Sequence, residues 1–179
     1  DGLCMWDTSM TDFKITNTVY EEDFLAQISE SCNKYDMDMG LYLQPWDIHS
    51  KWYGYYDADG NKTTKENDVL DYNEYYATQL EEILSNEKYG HHGVFREIWL
   101  DGAKISSEPQ DYDYERDVRV MHKYEGKDVL IFGVTKYAKV RWCLNESGVA
   151  NEETWSKSNG YLGEDGIMYC NGLGESVKY

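Results

Sequence analysis

The chain has 179 residues, and its 34 acidic against 17 basic side chains leave a formal charge of -17. That balance argues against a nucleic-acid partner, because phosphate binding needs clustered Lys and Arg, and it disfavours docking on anionic membrane. No run of about 18 apolar residues is present to span a bilayer. With 41% hydrophobic and 28% charged residues the composition is that of a folded domain, and the length suits one domain or a piece of a larger one. The aromatics are mostly Tyr (17) and Trp (6), whose flat faces and polar tips serve cores and polar-ligand clefts alike. Cys4, Cys32, Cys143 and Cys170 lie far apart with no C-x-x-C, so all four are expected to be reduced.

Residues 1–20 read as a loop with a strand end over 3–6. Over 21–36, Phe24, Leu25, Ile28, Cys32 and Tyr35 recur at three- and four-residue steps, which predicts an amphipathic helix. Glu21, Glu22 and Asp23 suit its positive N-terminal end. MDMGLYLQP is short and apolar, fit for a buried strand closed by Pro45. No period holds over 46–71. A loop of roughly 25 residues in a compact domain is functional or disordered.

A second helix is expected from Asp71 or Tyr72, with Tyr76, Leu80, Ile83 and Leu84 as its buried stripe. VFREIWLDG then reads as a strand, residues 112–124 as a helix, and DVLIFG as a third buried strand. This alternation predicts a parallel sheet with crossover helices. The long loops follow the strands, as they do in a (β/α)8 barrel. A doubly wound sheet is the alternative, but no Gly-rich phosphate turn follows any strand. Three strands and a fragment of a fourth cannot close a barrel, so the barrel reading makes this chain about half of one.

Asp101 is the first candidate for chemistry. It ends its strand, and by the two-residue period it shares a face with Phe95, Glu97 and Trp99. Barrel enzymes place catalytic groups at such strand ends, although an Asp there can also simply start a turn. Glu146 follows the third strand, close to Arg141 and Trp142. Alone it is one acid among many. Paired with Asp101 it suggests two carboxylates flanking a glycosidic bond, one as nucleophile and one as acid/base. His91 and His92 are adjacent, so their side chains are expected to diverge, and no third ligand stands at metal spacing; no metal site is expected. Asp57, Asp59 and Asn61 hint at a calcium loop, but Lys62 and Asp68 stand where that loop needs Gly and Glu.

Several segments together resemble glycoside hydrolase family 29, the α-L-fucosidases. DGLCMWDTSMTDFKITNT is similar to the family's D-G-F-x-x-W…T-D-(F/Y)…N-(S/T) block, and GLYLQPWD, YNEYYATQLEEIL and EIWLDGA are similar to the next three blocks, in the family's order. VRWCLNESGVANEETW resembles the R-W-x-x-N-E-x-G-x-A segment of the subgroup acting on α-1,3/1,4-linked fucose. The likeness covers residues 1–155.

This resemblance implies a retaining exo-glycosidase on a (β/α)8 TIM barrel, without cofactor, that takes terminal fucose from a fucosylated oligosaccharide or glycoconjugate. It implies Asp101 as nucleophile, Glu146 as acid/base, and Trp6, Tyr42, Trp46, Asp47 and Trp142 around the sugar. The family's fucose-binding His-His pair precedes Asp-Gly, whereas this chain starts at Asp1 without a Met. The expectation is therefore a partial catalytic domain over 1–179, lacking N- and C-terminal strands, from a bacterial extracellular or periplasmic enzyme. A broad-specificity fucosidase, an inactive fragment and a non-catalytic fucose-binding barrel are the competing readings.

Overall fold

The structure, a computed structural model, describes residues 2–101, 110–133, 137–140, 160–162 and 168–170. Helix α1 (Phe24–Tyr35) leads into strand β1 (Gly40–Tyr42), α2 (Tyr72–Leu84) into β2 (Glu97–Leu100), and α3 (Tyr114–Glu125) into β3 (Leu130–Gly133). The three strands form one parallel sheet in the order β1-β2-β3. Sequential parallel order with a helix in each crossover is the local topology of a barrel wall.

Each helix starts by the same device. Asp23, Asp71 and Asp113 stand at the N-caps, and their carboxylates accept the backbone N–H of Ala26 (3.0 Å), Glu74 (3.1 Å) and Arg116 (3.0 Å). Each bond satisfies a donor that the first helical turn would otherwise leave unpaired. Leu41, Ile98 and Ile131 are register partners on one face of the sheet, and all three are buried. They share a core with Tyr76, Leu80 and Ile83 of α2 and with Val118 and Met121 of α3. The expected stripe of α2 is therefore the packed one.

The stripe of α1 is packed only in part, at Leu25 and Cys32. Phe24, Ile28 and Tyr35 are exposed, and Ser29 is the fully buried residue of this helix. Ser29 Oγ donates to Leu25 O (2.8 Å) and accepts Gly90 N–H (2.9 Å). A small hydroxyl that satisfies a buried amide reads as surface in an apolar count, so the packed face is rotated toward Leu25, Ser29 and Cys32.

Strand β2 is also shorter than expected. His91 and Val94 exchange backbone hydrogen bonds in a tight turn, and β2 begins only at Glu97. Phe95 thus precedes the strand and is buried in the core, not set on the face of Asp101. Beyond β3, residue Val140 bridges Phe132 in parallel, and β4 (Gly160–Leu162) pairs antiparallel with β5 (Met168–Cys170), a pairing that the hydrophobic pattern does not predict. Among the described residues no helix is long and apolar enough to cross a membrane.

Candidate active site

The face of the sheet turned away from the helices carries an aromatic row. Tyr42, Trp99 and Phe132 are register partners on three neighbouring strands. Trp99 stacks on Phe132 at 3.8 Å, and Tyr42 leans toward Trp99 with ring centroids 6.2 Å apart. Asp101 lies two residues beyond Trp99, at the C-terminal end of β2, and is half-buried. Tyr42 donates its hydroxyl to Asp101 Oδ2 at 2.5 Å. Desolvation first, and then the bond to Asp101 and its charge, push the Tyr42 hydroxyl up to about 12, so it stays protonated and remains a donor at any ordinary pH.

Next to this pair a hollow opens, lined by Gly2, Trp6, Tyr42, Gln44, Asp47 and Gln79 among others. Asp47 is 7% exposed, and its Oδ1 accepts the backbone N–H of His49 and of Ser50, each at 3.0 Å. Gly2 comes so close to this carboxylate that a Cβ there would lie 2.0 Å from Asp47 Oδ1, with φ at +81°. Only glycine lets the N-terminal loop close over Asp47. Trp6 lines the hollow, but its indole N–H is committed to Glu82 (2.8 Å) and cannot serve a ligand without breaking that bond. The indole N–H of Trp46 is sheltered and has no partner among the described residues.

The long segment after Pro45 is ordered by tyrosines. Tyr72 donates to Pro45 O (2.8 Å) and Tyr76 to Leu43 O (2.7 Å), so α2 holds the end of β1 from below. Farther on, Tyr53 and Tyr112 share a hydrogen bond of 2.7 Å, and Gln110 accepts Gly54 N–H at 2.9 Å. The segment after β1 is thereby tied to the one after β2, and both stand at the Asp101 end of the sheet. The hint of a calcium loop resolves as a hairpin turn, in which Asp57 Oδ1 accepts the N–H groups of Asp59 (3.0 Å) and Asn61 (2.9 Å).

Of the residues singled out in the sequence, the structure joins Asp101 with Tyr42 and sets Tyr42, Asp47 and Trp6 around one hollow. Glu146 and Trp142 lie outside the described residues. The sequence pattern does not assign Gly2 or Trp99 to the site; the alternation that places Trp99 with Asp101 shows part of the aromatic row, whereas nothing in the sequence signals the approach of Gly2 to Asp47. His91 and His92 do not diverge: their ring centroids are 4.5 Å apart. The reason is that His92 takes a left-handed backbone with φ at 54°, which turns its side chain back toward its neighbour.

A family model described as Alpha-L-fucosidase matches residues 1–158. The chain belongs to the α-L-fucosidase family. It is 31% identical to Alpha-L-fucosidase 1 of Arabidopsis thaliana, an alignment that covers 94% of this chain and 31% of the plant protein. Among solved structures, a Ruminococcus gnavus GH29 fucosidase in complex with fucose is 44% identical with a TM-score of 0.83, covering 94% of this chain and 36% of the other. The crystal structure of SpGH29 is 34% identical with a TM-score of 0.73, covering 86% and 32%. The chain thus spans about a third of the length of these relatives.

Proposed function

We propose that this chain is part of a retaining exo-α-L-fucosidase on a (β/α)8 barrel, with Asp101 as nucleophile and Glu146 as acid/base, acting on α-1,3/1,4-linked fucose. The observation that carries the reading is the Asp101 carboxylate at the end of a parallel strand, bonded to Tyr42, which itself lines a hollow together with Asp47 and Trp6. In the retaining scheme Asp101 attacks the anomeric carbon while Glu146 protonates the departing oxygen; Glu146 then deprotonates the water that releases fucose. The linkage rests on the likeness of the segment from Arg141 to Glu146 to one fucosidase subgroup. The loop after Pro45 adds physical support, because it is long enough and well enough tied to hold the neighbouring sugar of a branch.

The test uses the full-length protein. kcat/KM is compared for a Lewis trisaccharide, its isomer carrying α-1,2-linked fucose, and an aryl fucoside. High activity on the first alone supports the reading; comparable values on all three make it a broad-specificity fucosidase. Azide separates the two carboxylate roles. With Glu146→Ala, azide intercepts the glycosyl-enzyme and gives the α-fucosyl azide, with net retention. With Asp101→Gly, azide stands in for the nucleophile and gives the inverted β-fucosyl azide. The reverse pattern would exchange or remove the assigned roles.

A further inference from the structure

At the opposite end of the sheet, before β1 and β2 begin, two loops bring nitrogen and oxygen donors together. We propose that Asp36, His91 and His92 bind a zinc-type divalent cation there, a site independent of the fucosidase reading.

The turn at residues 91–94 makes the pair. Gly90 and Gly93 have φ of +77° and +79°, and a Cβ on Gly90 would lie 2.6 Å from Val94 O. His92 is held in its left-handed conformation by its N–H, which donates to Asn33 Oδ1 at 2.6 Å. Asn33 belongs to α1, so the turn is pinned to the C-terminus of that helix. There Asp36 also takes a left-handed conformation, with φ at 52°. The result is one donor atom from each of Asp36, His91 and His92, all within 4.8 Å of one another.

One donor pair already has the spacing of two ligands on a small tetrahedral ion, with the His92 donor within 4.8 Å of both. His91 Nε2 and Asp36 Oδ1 are 3.3 Å apart. Ligand atoms bound at roughly 2.0–2.1 Å to one zinc in tetrahedral geometry are separated by about 3.3 Å. His91 Nε2 is sheltered and makes no well-aligned hydrogen bond among the described residues, and its carboxylate neighbour Asp36 stands at ion-pair distance. The other nitrogen of the same ring, Nδ1, faces Asp38 Oδ1 at 3.4 Å, and Asp38 is in turn held by Arg96 Nε at 3.2 Å. A ligating histidine that offers its second nitrogen to a carboxylate is the usual outer support of a zinc ligand, and it fixes both tautomer and ring orientation. Two imidazoles and one carboxylate favour zinc over calcium or magnesium, which take oxygen ligands. The site lies at the start of β2 and Asp101 at its end, so the ion would act as a staple between the two loops, with no part in the reaction.

The experiment strips the full-length protein with a chelator and titrates it with Zn2+ by calorimetry, alongside thermal melts with Zn2+ and with Ca2+. One zinc per site and a raised melting temperature with Zn2+ alone are expected. Asp36→Asn and His92→Asn keep a residue that tolerates the left-handed backbone, and Asp36 is 93% exposed, so their metal-free melts should match the wild type. Each should weaken zinc binding by at least about tenfold. Absence of zinc binding, a Ca2+ response equal to that of zinc, or undiminished affinity in both variants would overturn the proposal.

Discussion

Tyr42 and Asp101, separated by 59 positions in sequence, are joined by a 2.5 Å hydrogen bond across the ends of β1 and β2. The bond engages one carboxylate oxygen; in the proposed mechanism the other attacks the anomeric carbon. A charged acceptor makes such a bond worth roughly 1.5–3 kcal/mol. Tyr42→Phe in the full-length protein should therefore lower kcat/KM by roughly 10- to 100-fold. An unchanged kcat/KM would mean that the bond does not orient Asp101 for the proposed reaction.

Gly2→Ala tests the closure over Asp47. The new methyl would meet Asp47 Oδ1 at 2.0 Å and Cγ at 2.4 Å, on a backbone with φ at +81°. A loss of about 1–3 kcal/mol is expected, read as a lower melting temperature. Adding Asp47→Ala should remove the steric part of that loss, so the two changes should be clearly non-additive in a double-mutant cycle.

Asp117 in α3 is 2% exposed, and its Oδ1 has no partner among the described residues. Burial, reinforced by the charge of Asp113, pushes its carboxyl up to about 8, against a smaller opposing effect of Arg116. The folded state therefore holds this proton over a pH range in which the unfolded chain has lost it. Its contribution to stability is full below about pH 4 and falls as pH rises toward 8. Asp117→Asn should stabilise the protein at pH 7 by on the order of a few kcal/mol and flatten this part of the stability profile. Thermal melts between pH 5 and 8 would show it; parallel profiles for both proteins would refute it.

The N-cap of α3 gives a smaller effect. Asp113→Ala removes the acceptor of Arg116 N–H and should cost about 1 kcal/mol, with Asp113→Ser restoring most of it. Denaturant melts of the three proteins would decide this.

The sequence alone determines a good deal here. Two-residue alternation over EIWLDG places Trp99 and Asp101 on one face, and short-range periodicity marks Tyr76, Leu80, Ile83 and Leu84 as the buried stripe of α2. Both signals come from neighbours a few residues apart, whose relative direction is set by the backbone geometry of one element. The family is legible for a related reason, since its blocks are local strings in a set order. Position at a strand end makes Asp101 a candidate, while the role of Glu146 rests on the likeness of its segment.

Tertiary structure decided the rest, because it depends on pairs that no period connects. Tyr42 meets Asp101 only once β1 and β2 pair in register. Gly2 touches Asp47 only when the N-terminal loop folds over the end of β1. Ser29 is buried at the expense of Phe24, Ile28 and Tyr35 because Gly90, 61 residues away, presents an amide that a hydroxyl can satisfy. His91 and His92 face the same point because Asn33 holds the turn in a left-handed conformation. In each case a hydrogen bond or a close approach between distant segments outweighs local preference, and that energy exists only when the chain has brought those segments together.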